Sequence, residues 1–544
     1  MQHHDVIVIG AGHNGLTCAC YLGRAGLRVK VVEQRPIPGG TTVTEEFHPG
    51  FRNSVAAYAV SLLNPKIIAD LALHERGLRI VERRAQNFLP AADGRYLLAA
   101  EDRMARELAK FSVKDAERYV AFSREIDAIA EVLRRLALRP PPNLVEGFGL
   151  RGLNEMRRAL GIANELRRLS TEEARALIDL FTKSAADYLD GWFEGELIKA
   201  LFGFDAVVGN YASPYTPGTA YVMLHHAFGE VNGKRRVWGH AVGGMGAISA
   251  AMVRAARAHG VEIETGAGVR EIVVAGGRAA GVALEDGRML RAEMVAASVN
   301  PKLLYGRMMP ADALPAPFRE RMRRWRCGSG TFRMNVALSR LPQFTALPEA
   351  GDHLTSGIIL APSLAYMDRA YRDARDFGVS REPIIEMLIP STLDDSLAPP
   401  GAHVASLFCQ HVAPQLPDGR SWDACRDAVA DAMIATVERY APGFAASVVG
   451  RQVLSPLDLE REFGLLGGDI FHGAMTLDQL FSVRPMLGYA DYRSPVAGLY
   501  HCGAGAHPGG GVTGAPGHNA AQVMLADLRR RRKFRSVARL AHWD

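Results

Sequence analysis

The stretch Val6-Ile7-Val8-Ile9-Gly10-Ala11-Gly12-His13-Asn14-Gly15 decides the fold of this chain. Its apolar run, residues 6–9, predicts a strand that is buried on both faces of a parallel sheet. Glycines follow with the spacing Gly-x-Gly-x-x-Gly, and residues 16–26 carry apolar side chains at helical spacing. A second apolar strand, residues 29–32, ends at Glu33. The order strand, glycine-rich turn, helix, strand and acid predicts a βαβ unit.

This arrangement is typical of a dinucleotide site, and each residue of it has a physical task. Gly10 permits the tight turn, and Gly12 lets the backbone approach a pyrophosphate at the helix N-terminus, where free N–H groups favour an anion. Gly15 lets the helix pack closely on the strand, and Asn14 belongs to the same turn. Glu33 is placed to accept hydrogen bonds from a ribose 2′-OH, which disfavours NADP. The alternative is a glycine-rich turn that binds nothing.

A glycine doublet follows the second strand, in the run Gly39-Gly40-Thr41-Thr42. It resembles the extended fingerprint of flavoproteins with two dinucleotide-binding domains, which pass backbone close to FAD at this point. The resemblance favours FAD over NAD and places these four residues at the cofactor. Many such flavoproteins carry Arg after the doublet, whereas Thr41 brings no charge to the pyrophosphate.

A second glycine-rich segment lies almost five hundred residues further on. Residues 498–502 predict a short strand, residues 503–517 contain many glycines, and apolar residues from 519 onwards predict a helix. So many glycines indicate backbone packed against a flat group, and the helix N-terminus would favour the negative charge of a reduced flavin. A flexible loop is the alternative. The candidate cofactor-binding residues here are Gly503, Ala504, Gly511, Val512 and Gly514.

Between these segments, residues 237–297 predict a helix, a strand and a three-stranded meander turned at glycine pairs. In flavoproteins of this kind, a residue at the start of the meander meets the adenine through its backbone, and here that residue would be Val269. The run Gly243-Gly244-Met245-Gly246 is not a second Gly-x-Gly-x-x-Gly, and none of the six cysteines forms a CxxC pair. The sequence therefore offers no separate NAD(P)H site, no redox disulphide and no metal site.

With these pieces together, the chain resembles the phytoene desaturase-like family of FAD-dependent oxidoreductases. The most specific stretches are Gly39–Glu46 with Pro49-Gly50-Phe51, and Cys502–Val512 with Gly514-Ala515-Pro516-Gly517. The resemblance implies an α/β fold: a Rossmann-like FAD-binding domain with an inserted α+β substrate domain. The FAD-binding domain would comprise residues 1–60, 231–309 and 485–544. The substrate or cap domain would comprise residues 61–230, largely helical, and 310–484.

Periodicity predicts the elements of the inserted segments. Met104–Leu138 reads as one long helix, and Phe332–Leu338, Ile384–Ile389 and Val404–Cys409 read as strands. Trp422–Tyr440 reads as a helix. A sheet roofed by helices would give an apolar cavity over the flavin.

The family resemblance implies hydride transfer from an apolar polyene, isoprenoid or lipid-like substrate to flavin N5, with reoxidation by oxygen or a quinone. No acid–base constellation stands out, so the catalytic candidates are single residues: His507, His240, Tyr215 and Arg333. For each, the alternative is an ordinary packing or surface residue. Arg333 lies on the strand where amine-oxidase-like proteins place a Lys near flavin N5.

Other functions share this fold and stay open: a flavin amine oxidase, a redox-neutral FAD isomerase, and a flavin-loaded regulatory or binding protein. The bulk composition is ordinary, with 48% hydrophobic and 22% charged residues and a net charge of +6, which does not imply nucleic acid. No signal-peptide pattern precedes the first strand, so we expect a cytoplasmic protein. The basic tail, residues 529–540, could touch anionic lipid on the inner face of a membrane or be a solvated helix end. The sequence does not indicate an oligomeric state.

Overall fold

The computed structural model describes residues 3–143, 145 and 150–540. In chain order its strands are β1 (His3–Ile9), β2 (Val29–Glu33), β3 (Thr44–His48), β4 (Phe51–Ser54), β5 (Ile80–Glu82), β6 (Asn87–Pro90), β7 (Tyr96–Ala99), β8 (Glu230–Val231), β9 (Lys234–Arg235), β10 (Gly239–Ala241), β11 (Glu262–Thr265), β12 (Val269–Ala275), β13 (Arg278–Leu284), β14 (Met289–Ala297), β15 (Phe332–Leu338), β16 (Gly357–Leu360), β17 (Val379–Leu388), β18 (His403–Val412), β19 (Val448–Leu454) and β20 (Leu499–His501). Its α-helices are α1 (His13–Arg24), α2 (Pro65–Asp70), α3 (Met104–Ala109), α4 (Val113–Ala137), α5 (Leu150–Leu166), α6 (Thr171–Thr182), α7 (Ala185–Asp190), α8 (Glu196–Val207), α9 (Thr219–His226), α10 (Gly246–Ala258), α11 (Pro301–Leu303), α12 (Ala316–Arg323), α13 (Leu364–Phe377), α14 (Trp422–Tyr440), α15 (Phe444–Ser447), α16 (Pro456–Phe463) and α17 (Ala515–Leu540).

The first of two large sheets is built around β1, as the opening sequence predicts. Its strand order is β11-β2-β1-β14-β13-β12, and β20 pairs in parallel with the C-terminal part of β14. Strands β11, β2, β1, β14 and β20 run parallel, and β12–β14 form the predicted meander. The carboxyl ends of the parallel strands therefore meet at one edge, where α/β folds bind their ligands.

Alternating side chains of β1 serve two apolar cores. Val6 and Val8 pack with residues of α1, α10 and α17 on one face. Ile7 and Ile9 pack on the other face with a cluster that includes Leu304. Both faces of the strand are thus covered, which is why its sequence is a continuous apolar run.

The second sheet has the order β19-β15-β18-β17-β16-β6-β7 and draws its strands from residues 87–99 and 332–454. Ile384 and Phe408 face a large core shared with α4 and α6–α9. Ile385 and Leu407 face the opposite side, where Met433 of α14 packs. The helices between residues 104 and 226 therefore cover one face of this sheet.

The long helix predicted for Met104–Leu138 is wrong in one respect: it is divided into α3 and α4. The break comes at Ser112, whose hydroxyl accepts a hydrogen bond from the backbone N–H of Asp115 and so caps a new helix. Within the described residues, no helix combines the length and the apolar character needed to cross a bilayer. The six cysteines are all free thiols there, and no cluster of three or more His, Cys, Asp or Glu residues is arranged to hold a metal.

Candidate functional site

A deep cavity lies at the carboxyl edge of the first sheet and extends to the second sheet. It encloses about 1700 Å³ of space between protein atoms, part of it open to solvent. Of the residues predicted at the cofactor, ten line it: Gly10, Gly12, Asn14, Glu33, Gly40, Thr41, Val269, Ala504, Gly511 and Val512. The sequence segments that were predicted separately thus meet at one site.

The fingerprint turn has the backbone geometry that its glycines predict. Gly10 adopts φ +91°, in the region that favours glycine, and α1 begins directly after Gly12. Gly15 does not line the cavity and instead packs against the backbone of Gly10. A Cβ on Gly15 would come within 2.0 Å of the Gly10 carbonyl oxygen, so only glycine lets α1 sit this close to β1.

Glu33 is buried at the end of β2, with 6% of its surface exposed. Its Oε2 accepts a hydrogen bond from the backbone N–H of Ala11 at 2.7 Å, and its Oε1 accepts one from the backbone N–H of Arg35 at 3.0 Å. Each carboxylate oxygen keeps a further lone pair, and the side chain lines the cavity. The carboxylate is therefore held in one orientation and can still accept hydrogen bonds from ribose hydroxyls.

The glycine doublet packs directly on the fingerprint turn. The N–H of Gly39 donates to the carbonyl of Ala11 at 2.9 Å, and a Cβ on Gly40 would lie 3.1 Å from the Cα of Gly12. Thr42 does not reach the cavity, because its buried hydroxyl donates to the carbonyl of Gly39 at 2.6 Å. Gly40 and Thr41 thus bring backbone to the cavity, while Gly39 and Thr42 hold the doublet in place.

The C-terminal glycine-rich segment forms another wall of the cavity through Ala504, Gly511 and Val512. Gly503 lies behind this wall, where a Cβ would meet the Ser298 backbone at 2.9 Å. Gly514 adopts φ +71° immediately before α17 and also lies behind the lining. These two glycines shape the segment and do not face the cavity.

Buried polar atoms without partners show that the site fits a dinucleotide. Asn14 Oδ1, His13 Nε2, Arg35 Nη1 and His472 Nδ1 have no hydrogen-bond partner among the described residues, and all four residues line the cavity. Leaving such atoms unpaired costs about 1–3 kcal/mol each, so a bound polar group is expected to satisfy them. Together with Glu33 and the N-terminus of α1, they match the ribose, phosphate and ring atoms of FAD.

None of the four catalytic candidates is among the residues that line the cavity. Tyr215 is 48% exposed, in the connection between α8 and α9. His240 is buried with its Nε2 3.0 Å from Asp394 Oδ2, a contact that holds its ring away from the cavity. For His507, Nε2 lies 3.2 Å from the Leu136 carbonyl, and burial lowers its pKa to about 4.

Arg333 is fully buried one layer behind the cavity wall. Its Nη2 donates to Ser406 Oγ at 2.7 Å, and its guanidinium carbon lies 4.5 Å from the centre of the Tyr58 ring. Tyr58 and Phe408, which are stacked with ring centroids 5.3 Å apart, both line the cavity. Arg333 therefore reaches the site only through these aromatic rings.

Sequence reasoning missed the residues at the far end of the cavity. Tyr58, Phe408, Trp238 and His226 line it there, and burial lowers the pKa of His226 to about 4, so its imidazole is neutral at pH 7. These residues come from three separate parts of the chain, around residues 58, 226–238 and 408, and no motif in the sequence links them. The sequence predicted only that a sheet covered by helices would enclose an apolar cavity, and it did not identify these four residues as its lining.

Arg484 was also missed, although it holds the glycine-rich segment in place. Its guanidinium is fully buried and donates to several carbonyl oxygens, among them those of Ala504 at 2.8 Å and Phe471 at 2.8 Å. Burial lowers its pKa to about 10, so it remains a cation at neutral pH. Since Ala504 and Phe471 both line the cavity, Arg484 joins two of its walls.

Comparison with known proteins agrees with this site. The profile of the family described as "Flavin containing amine oxidoreductase" matches residues 15–332. The chain is 40% identical to pyridine nucleotide-disulfide oxidoreductase domain-containing protein 2 of Rattus norvegicus, over 97% of this chain and 94% of that protein. It is 26% identical to a subunit of limonene dehydrogenase of Castellaniella defragrans, over 96% and 95% of the two chains. It is 25% identical to the lycopene-forming phytoene desaturase of Pseudescherichia vulneris, over 96% and 99%.

Among solved structures, an oxidoreductase from Methanosarcina mazei superposes with a TM-score of 0.60 at 17% identity. The superposition covers 96% of this chain and 100% of that one. At this identity the likeness concerns the fold, and it confirms a Rossmann-like α/β architecture with a substrate domain.

Proposed function

Because the chain belongs to the flavin-containing amine oxidoreductase family and is an FAD-dependent oxidoreductase, we propose that it dehydrogenates an apolar, lipid-like substrate. When bound, FAD supplies the acceptor for the hydride that the substrate gives up. The observation that carries the proposal is the wall of the cavity beyond the glycine-rich segment. It is formed by apolar and aromatic side chains: Leu62, Val208, Trp238, Phe408, Ile470 and Phe471.

The residues of this wall would act by positioning the substrate and excluding water. Hydride transfer needs a desolvated cavity and an aligned substrate more than it needs an acid–base pair. The proton released with the hydride would leave to solvent, because part of the cavity is open to it.

The names of two relatives support the apolar substrate. One is a subunit of limonene dehydrogenase and the other a phytoene desaturase, and both names refer to isoprenoid hydrocarbons. The chain aligns with each over nearly its whole length, so the substrate segments are included in the likeness. We therefore propose an isoprenoid, polyene or related lipid as the substrate class.

A flavin amine oxidase is the second candidate, since the family description names amines. An amine oxidase of this fold needs a pair of aromatic rings facing the flavin, and Tyr58 with Phe408 is one stacked pair among the lining residues. Their rings are stacked on each other at 5.3 Å and 27°, which leaves no gap for an amine between them. The Arg333 guanidinium against Tyr58 would also repel an ammonium group.

The test is anaerobic titration of the purified holoenzyme with a monoterpene, a polyene and a primary amine. Loss of the visible absorption of oxidised flavin with a hydrocarbon and not with the amine would support the proposal. Bleaching by the amine alone would replace it with the amine oxidase. A product isomer formed only with pre-reduced FAD would indicate the isomerase, and a protein that takes up no flavin would favour a binding role.

We also propose that oxygen or a quinone takes the electrons from the reduced flavin. A separate proposal concerns the basic end of α17, which we expect to contact anionic lipid on the cytoplasmic side of a membrane. Arg529 and Arg530 are exposed there, while the side chains of residues 532–540 lie outside the described part of the structure. Oxygen consumption during turnover, compared with reduction of a water-soluble quinone, tests the acceptor. Flotation with anionic and neutral vesicles tests the lipid contact.

A further inference from the structure

Helix α5, on the outer side of the helical layer, turns apolar side chains toward solvent. Leu153, Met156 and Leu160 are 61%, 54% and 62% exposed, and their spacing of three and seven residues places them on one helix face. Glu155 and Glu165 point inward instead, each with 8% of its surface exposed. A helix on the surface of a soluble protein normally has the opposite arrangement, with its apolar face toward the core. The outward face of α5 is therefore an apolar surface that the rest of the chain leaves largely uncovered.

The inward carboxylates hold the helix in this orientation. Glu155 accepts hydrogen bonds from Arg158 Nη1 at 2.9 Å and from the backbone N–H of Asn143 at 3.1 Å. Glu165 Oε2 lies 3.3 Å from Nε of Arg135 on the neighbouring helix α4. Turning α5 over to bury its apolar face would separate these buried charges from their partners, which is costly. The exposure of the apolar face is thus fixed by the packing of α5.

The charges exposed beside this face are positive. Residues 150–169 contain five arginines, two glutamates and no lysine or aspartate. Both glutamates are the buried ones, whereas Arg157, Arg167 and Arg168 are exposed. Arg157 lies within the helix, and the other two directly follow its last turn. The outward surface of α5 therefore combines an apolar stripe with a surplus of guanidinium groups. Exposed apolar surface of this kind marks a site that another apolar body covers.

From this arrangement we propose that the outward face of α5 docks on a bilayer that contains anionic lipid. A helix lying in a bilayer surface buries its apolar side chains at the acyl boundary, while arginine side chains extend to the headgroup phosphates. A second copy of the chain fits the face less well, because pairing two identical faces would bring the arginines of both copies together. The surface is separate in sequence from the basic end of α17, and the proposal does not depend on the identity of the substrate.

The experiment is flotation of the FAD-loaded full-length protein with vesicles of phosphatidylcholine and phosphatidylglycerol, or of phosphatidylcholine alone. We expect the native protein to bind the mixed vesicles more tightly. The triple variant Leu153→Gln, Met156→Gln, Leu160→Gln should bind them about 100-fold more weakly, since each half-exposed side chain would contribute about fivefold when it enters the bilayer. Val113→Gln with Val120→Gln is the control, because these residues are also exposed but lie on α4, and this variant should bind like the native protein.

The charge part of the proposal has its own variants. Arg157→Gln with Arg167→Gln should weaken binding to the mixed vesicles about 20-fold, because each arginine near an anionic surface contributes about fivefold. Added salt should weaken native binding in the same direction. Arg323→Gln with Arg324→Gln removes the same charge from exposed positions on and directly after α12 and should have little effect. All these positions are on the surface, so the absorption spectrum of bound flavin shows whether each variant is folded.

Three results would overturn the proposal. The first is unchanged vesicle binding by the triple variant; if Arg529→Gln with Arg530→Gln then removes binding, the lipid contact belongs to α17 alone. The second is a native protein that floats with neither kind of vesicle. The third is a dimer in solution that the triple variant dissociates while vesicle binding stays as in the native protein, because this would assign the face to a second copy of the chain.

Discussion

Replacement of Glu33 by Gln tests the dinucleotide site at one atom pair. The native carboxylate accepts the N–H groups of Ala11 and Arg35, at 2.7 and 3.0 Å, and it is nearly fully buried. A glutamine can keep only one of these acceptors, and its NH2 group then faces the other N–H donor. The lost charge-assisted hydrogen bond to the backbone is present with and without FAD, so its loss lowers the free energy of unfolding by about 1.5–3 kcal/mol. The loss of an acceptor for the ribose hydroxyl weakens FAD binding by a similar amount.

We therefore expect Glu33→Gln to bind FAD about 100-fold more weakly, which corresponds to about 3 kcal/mol. The assay is titration of the apoprotein with FAD, followed by flavin fluorescence. Glu262→Gln is the control, because this carboxylate lies on the neighbouring strand β11 and is half exposed. A Glu33→Gln protein whose Kd for FAD stays within about threefold of the native value would refute the role given to this carboxylate.

Other predictions follow from packing and charge. Gly15→Ala should lose FAD and cost about 3 kcal/mol or more of unfolding free energy, because its Cβ meets backbone at 2.0 Å. Gly161→Ala is the control: its Cβ has open space inside helix α5, so this variant should keep FAD and be more stable in denaturant by up to about 1 kcal/mol. Acid should destabilise the fold between about pH 6.5 and 4, since burial lowers the pKa of His226 and His507 to about 4 and the unfolded chain binds more protons there. A melting temperature that stays constant over that pH range would contradict this prediction. The His507→Gln variant should show a smaller change of melting temperature with pH. Arg484→Met should lower both the free energy of unfolding and the flavin content. Arg484→Lys should not restore them, because one ammonium group cannot donate to all the carbonyl oxygens that the guanidinium reaches. Full flavin occupancy in Arg484→Lys would show that the positive charge alone is enough.

The parts of the fold that were predictable from sequence are those set by local patterns. The unit β1–α1–β2 and the helix Trp422–Tyr440 follow from the period of apolar residues, and the structure confirms both. The break between α3 and α4 was missed although its signal is local, because Ser112 with Asp115 three residues later is a capping pattern inside an otherwise continuous helical period.

The cofactor end of the site was predictable because glycines at fixed spacing determine its backbone conformation. The substrate end was not, since its contacts join residues far apart in the chain. Tyr58 meets Glu386 across 328 positions, and neither residue stands in a recognisable motif. Likewise, Arg333 was expected to reach the flavin from its strand, whereas Tyr58 stacks in front of it, an arrangement that only tertiary packing determines.

The pairing of β14 with β1 on one side and with β20 on the other has a consequence for biosynthesis. Because β20 is Leu499–His501, the sheet that bears the fingerprint turn cannot close until these residues have emerged from the ribosome. Until then the side of β14 that β20 will occupy stays unpaired, and an unpaired apolar strand is a template for aggregation. We therefore expect the sheet to close, and the flavin to bind, only after β20 has emerged from the ribosome.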